Sequence, residues 1–176
     1  VNLNISDNTV SGLKDLSKAA NLKHLTMRNM HNNNLRDLTP INSLNSLDIS
    51  YNNLSSEDFY LVYILKDFPS LKTINISSNR IGGMFFTSKY FKRKNYDENL
   101  DRESINNFYA RLENIDFSSN NIYSLYGAEQ FVNVSNLNLS VNSIDDIEPL
   151  YRLNKLQILN LSNNKIKDIN GIESLT

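Results

Sequence analysis

The sequence predicts an α/β solenoid, with a parallel sheet along one side and a mixed 3-10/α layer along the other. Three observations carry that expectation. A short string recurs as LNSLDISYNNL from Leu44, LKTINISSNRI from Leu71, LENIDFSSNNI from Leu112, VSNLNLSVNSI from Val134 and LQILNLSNNKI from Leu156. Its apolar residues fall at the first, fourth, sixth and eleventh places, with Asn at the ninth, and the step from Val134 to Leu156 is 22 residues. Between copies the chain reads IDDIEPLYRLNKL or IKDINGIESL, apolar at about every third position, which suits short 3-10 turns better than a full helix.

Each copy begins with a strand. In x-L-x-L-x the side chains alternate, so Leu137 and Leu139 are expected inward and Asn138 and Ser140 toward solvent. The ninth-place residues are Asn8, Asn52, Asn79, Asn120, Asn142 and Asn164. A carboxamide both donates and accepts, so a stacked Asn row can satisfy the backbone groups left open where each strand turns away. The frame extends to the start of the chain through Leu3, Ile5, Asn8 and Val10, then through Leu22, Leu25, Met27 and Leu35, giving about seven units in one domain over 1–176. In the second unit Met30 stands at the ladder place, and Asn29 or Asn33 is expected to replace the lost hydrogen bonds.

Two units are long. Leu44 to Leu71 spans 27 residues, and there Ser55, Asp58, a stripe of Phe59, Val62, Leu65 and Phe68, and the stop at Pro69 predict a helix at 56–67. Leu71 to Leu112 spans 41 residues, an insertion at 82–111 that opens at Gly82 and Gly83 and ends in a helix expected at 99–111. Helices pack about 8 to 10 Å apart and strands about 4.8 Å, so bending should concentrate near residues 44 to 112.

Composition narrows function by exclusion. The net charge of -1 gives no long-range attraction for nucleic acid or anionic membrane, and no apolar run approaches the ~20 residues of a membrane span. There is no Cys, and His24 and His31 are the two histidines, so thiolate and zinc chemistry lack their usual ligands. No nucleophile elbow, phosphate-cradling loop or H-E-x-x-H string appears, and the expectation is no enzyme, no cofactor and no metal. Six N-x-S/T matches begin at Asn4, Asn53, Asn75, Asn133, Asn138 and Asn160. Four of these fall on the inner strand face, where glycans would cover it, so with the missing cysteines they favour an intracellular chain. The sequence opens at VNLNIS and closes at GIESLT inside units, and a piece of a longer protein is expected.

The inner strand face is mild, with Asn, Asp and Ser at most places. Its exceptions are the candidate partner-binding residues: His24, Arg28, Asp48, Tyr51, Asp116, Val141 and Ile158, since anchors are enriched in Tyr and Arg over small polar residues. A second candidate is the insertion at 84–94, where Phe85, Phe86, Tyr90 and Phe91 alternate with Lys89, Lys92, Arg93 and Lys94.

On these repeated strings the chain is identified as a member of the leucine-rich repeat family, and it resembles the 22-residue class. That class includes an intracellular regulator of type-1 protein phosphatase, bacterial internalins, and eukaryotic scaffolds at centrosomes, spindle poles and cilia. The resemblance implies a right-handed horseshoe that binds a protein partner on its concave face, without cofactors. It also implies a non-enzymatic interaction module, an intracellular, cytoplasmic scaffold that recruits signalling proteins at the cytoskeleton or spindle pole during the cell cycle. The alternatives are a regulatory subunit of a type-1 phosphatase or a kinase, and an extracellular or bacterial adhesin.

Overall fold

Seven three-residue strands stack side by side, each centred on the inward aliphatic residue of its unit. They are β1 (Asn2–Asn4), β2 (His24–Thr26), β3 (Ser46–Asp48), β4 (Thr73–Asn75), β6 (Asn114–Asp116), β8 (Asn136–Asn138) and β9 (Ile158–Asn160). Every neighbouring pair is parallel, in the order β1-β2-β3-β4-β6-β8-β9. The register sets Leu3, Leu25, Leu47, Ile74, Ile115, Leu137 and Leu159 in one row. This computed structural model describes residues 1–10, 12–30, 35–55, 65–83 and 98–175. Most of the helix expected at 56–67, the aromatic and basic residues of 84–94, and His31 and Asn33 lie outside the described residues.

The sheet and its return path bury a continuous aliphatic core. Leu44, Leu47, Ile49, Phe68, Leu71, Val134, Ile144 and Leu150 are each at most 2% exposed. Cutting Leu47 to Ala removes buried methyl groups from a site closed by both neighbouring coils, at about 2–5 kcal/mol. On the side away from the sheet, 3-10 turns run over Leu13–Lys18, Leu35–Asp37, Ala128–Gln130, Glu148–Arg152 and Ile172–Ser174. Such turns suit units this short, because a full α-helix needs more residues between strands than a 22-residue step provides.

The longest unit affords the α-helix expected at its end. α1 covers Glu98–Arg111 and buries Ile105, Phe108 and Tyr109, whose ring meets Phe131 edge-on at 5.1 Å between centroids. A second, two-stranded sheet forms where that unit leaves the ladder, with β5 (Gly82–Gly83) parallel to β7 (Asn121–Ile122). Among the described residues no helix is long and apolar enough to cross a membrane.

The ladder Asn residues explain how one coil locks to the next. Asn79 Nδ2 donates to Ile76 O and Ser77 O of its own unit and to Ile49 O of the unit before. Its Oδ1 accepts from Asn52 N and Leu54 N. Asn120, Asn142 and Asn164 repeat the pattern, accepting from Ile81 N, Ile122 N and Ile144 N.

In the second unit one of the two expected replacements is not used, and the other, Asn33, lies outside the described residues. Asn29 does not take over the ladder role of Met30; its Nδ2 donates to Asp7 Oδ1. Asn52 of the following coil still makes its ordinary ladder bonds to this unit, donating to Met27 O and accepting from Met30 N at 2.9 Å. Met30 itself turns into the core at 8% exposure, so its apolar side chain and the reach of Asn52 together maintain the coil.

Candidate functional site

The strand face is less available to a partner than its sequence suggests, because much of its polarity is spent locally. In six units the fifth-place carboxylate or amide accepts from the backbone N–H two residues on. The pairs are Asn4 with Ser6, Asp48 with Ser50, Asn75 with Ser77, Asp116 with Ser118, Asn138 with Ser140 and Asn160 with Ser162, at 2.9–3.2 Å. The Ser6, Ser50 and Ser140 hydroxyls donate to the same oxygens. These Asx turns end each strand. Ser140, expected toward solvent, is therefore buried, as are Ser50 and Ser77.

The second unit breaks this rule and frees a cation. With Thr26 and Arg28 in place of the Asn/Asp and Ser pair, Arg28 N bonds to Ser6 Oγ of the preceding unit and its side chain crosses to the next strand. Arg28 Nε and Nη2 both donate to Asp48 Oδ2, at 2.8 and 2.5 Å. Burial raises the Asp48 pKa, but hydrogen bonds from Arg28 and Ser50 outweigh it and hold the carboxyl below its ordinary value. The hydrogen bond to Asp48 raises the Arg28 pKa in turn. Two sequence candidates thus satisfy each other, and Asp48 presents a neutralised, half-buried carboxylate.

After each strand comes a residue that the sequence reading did not single out as a class. Asp7, Asn29, Tyr51, Ser78, Ser119, Val141 and Asn163 immediately precede the ladder place, and all have φ between 47° and 59°. This left-handed conformation is tolerated by Asn and Asp and is a genuine outlier for a β-branched side chain. Five of the seven are small or polar. The other two, Tyr51 and Val141, are 61% and 48% exposed, so strain and exposed apolar surface coincide at one rim of the sheet. Three strand steps separate them, about 14 Å at the usual inter-strand spacing.

The remaining candidates distribute along the face. His24 opens β2 and is exposed. Asp116 and Ile158 line one shallow depression of about 350 Å³ with Thr73, Asn75, Asn136 and Asn138, and Ile158 is 62% exposed. Tyr51 lines another of about 550 Å³ with Asp7, Arg28, Asn29, Asn53 and Arg80. The structure thus groups Arg28, Asp48 and Tyr51 at one end and Asp116 with Ile158 toward the other. Val141 stands on the rim. The candidates at Phe85, Phe86, Tyr90, Phe91, Lys92, Arg93 and Lys94 lie outside the described residues.

Comparison with known proteins agrees with this architecture. The family model described as Leucine Rich repeats (2 copies) matches residues 132–174, and that described as Leucine Rich Repeat matches 43–62. No curated protein matches. Among solved structures the chain is similar to an internalin (inlF) from Listeria monocytogenes, with a TM-score of 0.70 and 22% identity over 96% of this chain and 43% of that one. It is similar also to an internalin C2 (inlC2) from Listeria monocytogenes, with a TM-score of 0.73 and 18% identity over 97% of this chain and 65% of that one. The chain therefore spans less than two thirds of the length of either internalin. The 27- and 41-residue units do not remove the likeness of fold.

Proposed function

We propose, from the premise that the chain is a leucine-rich repeat protein, that it is a non-enzymatic module that binds a protein partner on its concave strand face. Leucine-rich repeat domains act generally as protein-interaction modules. The observation that carries the placement is the pair Tyr51 and Val141. Backbone strain at an exposed apolar side chain destabilises the free protein without improving its packing, and strain of this kind concentrates at functional sites. Ile158 and Asp116 extend the contact surface across β6 to β9.

The narrower assignment is an intracellular scaffold recruiting signalling proteins, of the spindle-pole, mitotic-signalling type. Its intracellular part draws support from the absence of Cys and from N-x-S/T strings on the strand face. The likeness to the two internalins, at 22% and 18% identity, is one of fold and gives no preference among partners.

The test is affinity capture with wild-type protein against Tyr51→Ala and Ile158→Asp, alongside an exposed substitution away from the sheet such as Lys14→Glu. Loss of the wild-type partner set from the two strand-face variants alone supports the assignment. Equal capture by all four proteins rejects it.

A further inference from the structure

One groove lies not on the strand face but on the flank where the chain enters the strands. Its volume is about 670 Å³, and it runs from Pro69 and Ser70 past Lys72, Arg111 and Glu113 to Asn133 and Lys155. Three cations, Lys72, Arg111 and Lys155, face one carboxylate, Glu113. Lys72 Nζ pairs with Glu113 Oε1 at 2.7 Å, and both side chains remain about half exposed. Lys155 Nζ donates to a neutral acceptor, Asn133 Oδ1.

Arg111 is the least satisfied of the three. Its Nη2 donates to Lys66 O and Phe68 O at 2.9 and 3.2 Å, which fixes the side chain across the end of α1 against the Phe108 ring. Its Nε is buried and has no acceptor. No carboxylate forms an ion pair with it among the described residues, and the nearby Asp67 is paired with Lys66 at 3.0 Å. Burial accordingly lowers the Arg111 pKa, offset in part by Asp67. A partly desolvated guanidinium held by carbonyls, in a groove with surplus positive charge, gains from a carboxylate that water cannot replace.

We propose that this groove docks an acidic segment of a partner protein, its carboxylates received by Arg111, Lys155 and Lys72. The site is separate from the concave face, and Glu113 is its built-in competitor. An incoming carboxylate must share Lys72 with it.

The experiment is fluorescence anisotropy of the purified protein with a labelled peptide of alternating glutamate and glycine at low ionic strength. Lys72→Glu combined with Lys155→Glu is expected to weaken binding by about tenfold or more, and Glu113→Gln to tighten it severalfold, both effects shrinking as salt screens the pairs. Lys14→Glu, on the first unit, should leave the affinity unchanged, and circular dichroism checks that each variant is folded. Arg111→Lys keeps the charge and loses the fork, and should weaken binding without reversing its salt dependence. Absence of measurable binding at low salt overturns the proposal, as does an affinity that the Lys72/Lys155 double variant leaves intact. Equal binding of a single-stranded RNA, lost in the same variants, would also overturn it by marking the groove as a general polyanion site.

Discussion

Asn120 joins two coils through a single carboxamide. Its Nδ2 donates to Ile76 O, Phe117 O and Ser118 O, its Oδ1 accepts from Ile81 N, and it is 7% exposed. Alanine orphans Ile81 N in a place water reaches poorly, whereas Ile76 O, Phe117 O and Ser118 O keep bonds from Asn79 Nδ2, Asn142 Nδ2 and Ser78 N. At about 1–3 kcal/mol for one buried orphan, Asn120→Ala should destabilise by about that amount, measured by urea unfolding. Tyr109 presents the opposite case. Its hydroxyl is buried without a hydrogen-bond partner among the described residues, and burial pushes its pKa well above the ordinary phenol value. Tyr109→Phe keeps the edge-on contact with Phe131 and removes the orphan, so a gain of about 1 kcal/mol is expected. A loss in the same unfolding measurement would mean that the hydroxyl is satisfied after all.

Asp48 gives a pH prediction at the same scale. Folding holds its pKa below the unfolded value, so its contribution to stability is complete above roughly pH 4 and is lost as pH falls through the lowered folded value. Asp48→Asn keeps an acceptor for Ser50 but removes the titration and the negative charge facing Arg28. Its stability should fall less steeply than wild type over that acid window, read from thermal midpoints at a series of pH values.

At the scale of the element, the repeated string made the strands, the Asn ladder and the α1 helix legible, because each depends on spacing alone. What spacing did not reveal was where polar side chains spend their hydrogen bonds. The Asn/Asp-x-Ser string at the end of six strands reads as solvent-facing polarity, yet it is an Asx turn that consumes one carboxyl or amide oxygen per unit. Its absence at Thr26-Met27-Arg28 is the sequence signal for the Arg28–Asp48 pair, visible only once that string is read as a turn. The left-handed residue before each ladder Asn was equally readable in principle, since Asp, Asn and Ser dominate that column. The basic flank groove was not readable. Lys72, Arg111 and Lys155 are far apart in sequence and meet only through the stacking of coils.

Gly171 shows how tightly a return turn is set. It precedes the 3-10 turn Ile172–Ser174 with φ 91°, and a Cβ there would meet the Tyr151 ring at 2.4 Å. The ring is held by a hydrogen bond from its hydroxyl to Asn170 O. Gly171→Ala should therefore destabilise the fold by about 1–3 kcal/mol through both backbone strain and the displaced ring, read as a lower thermal midpoint.

For the whole molecule, parallel stacking presents one long strand face, with the rim residues Tyr51 and Val141 on the two sides of a central window. Between them lie Ser78 and Ser119, small residues that leave room for a segment laid across the sheet. On the proposed reading, Tyr51 and Val141 stay apolar and strained at this window because a partner binds there. The direct measurement is paired calorimetry on Val141→Asn, with the thermal midpoint of the free protein and the affinity for the captured partner determined on the same preparation. Asn accepts the left-handed backbone, so the midpoint should rise by about 2–4 °C for a gain near 1 kcal/mol while affinity falls. A variant that is more stable and binds as tightly as wild type would contradict the claim.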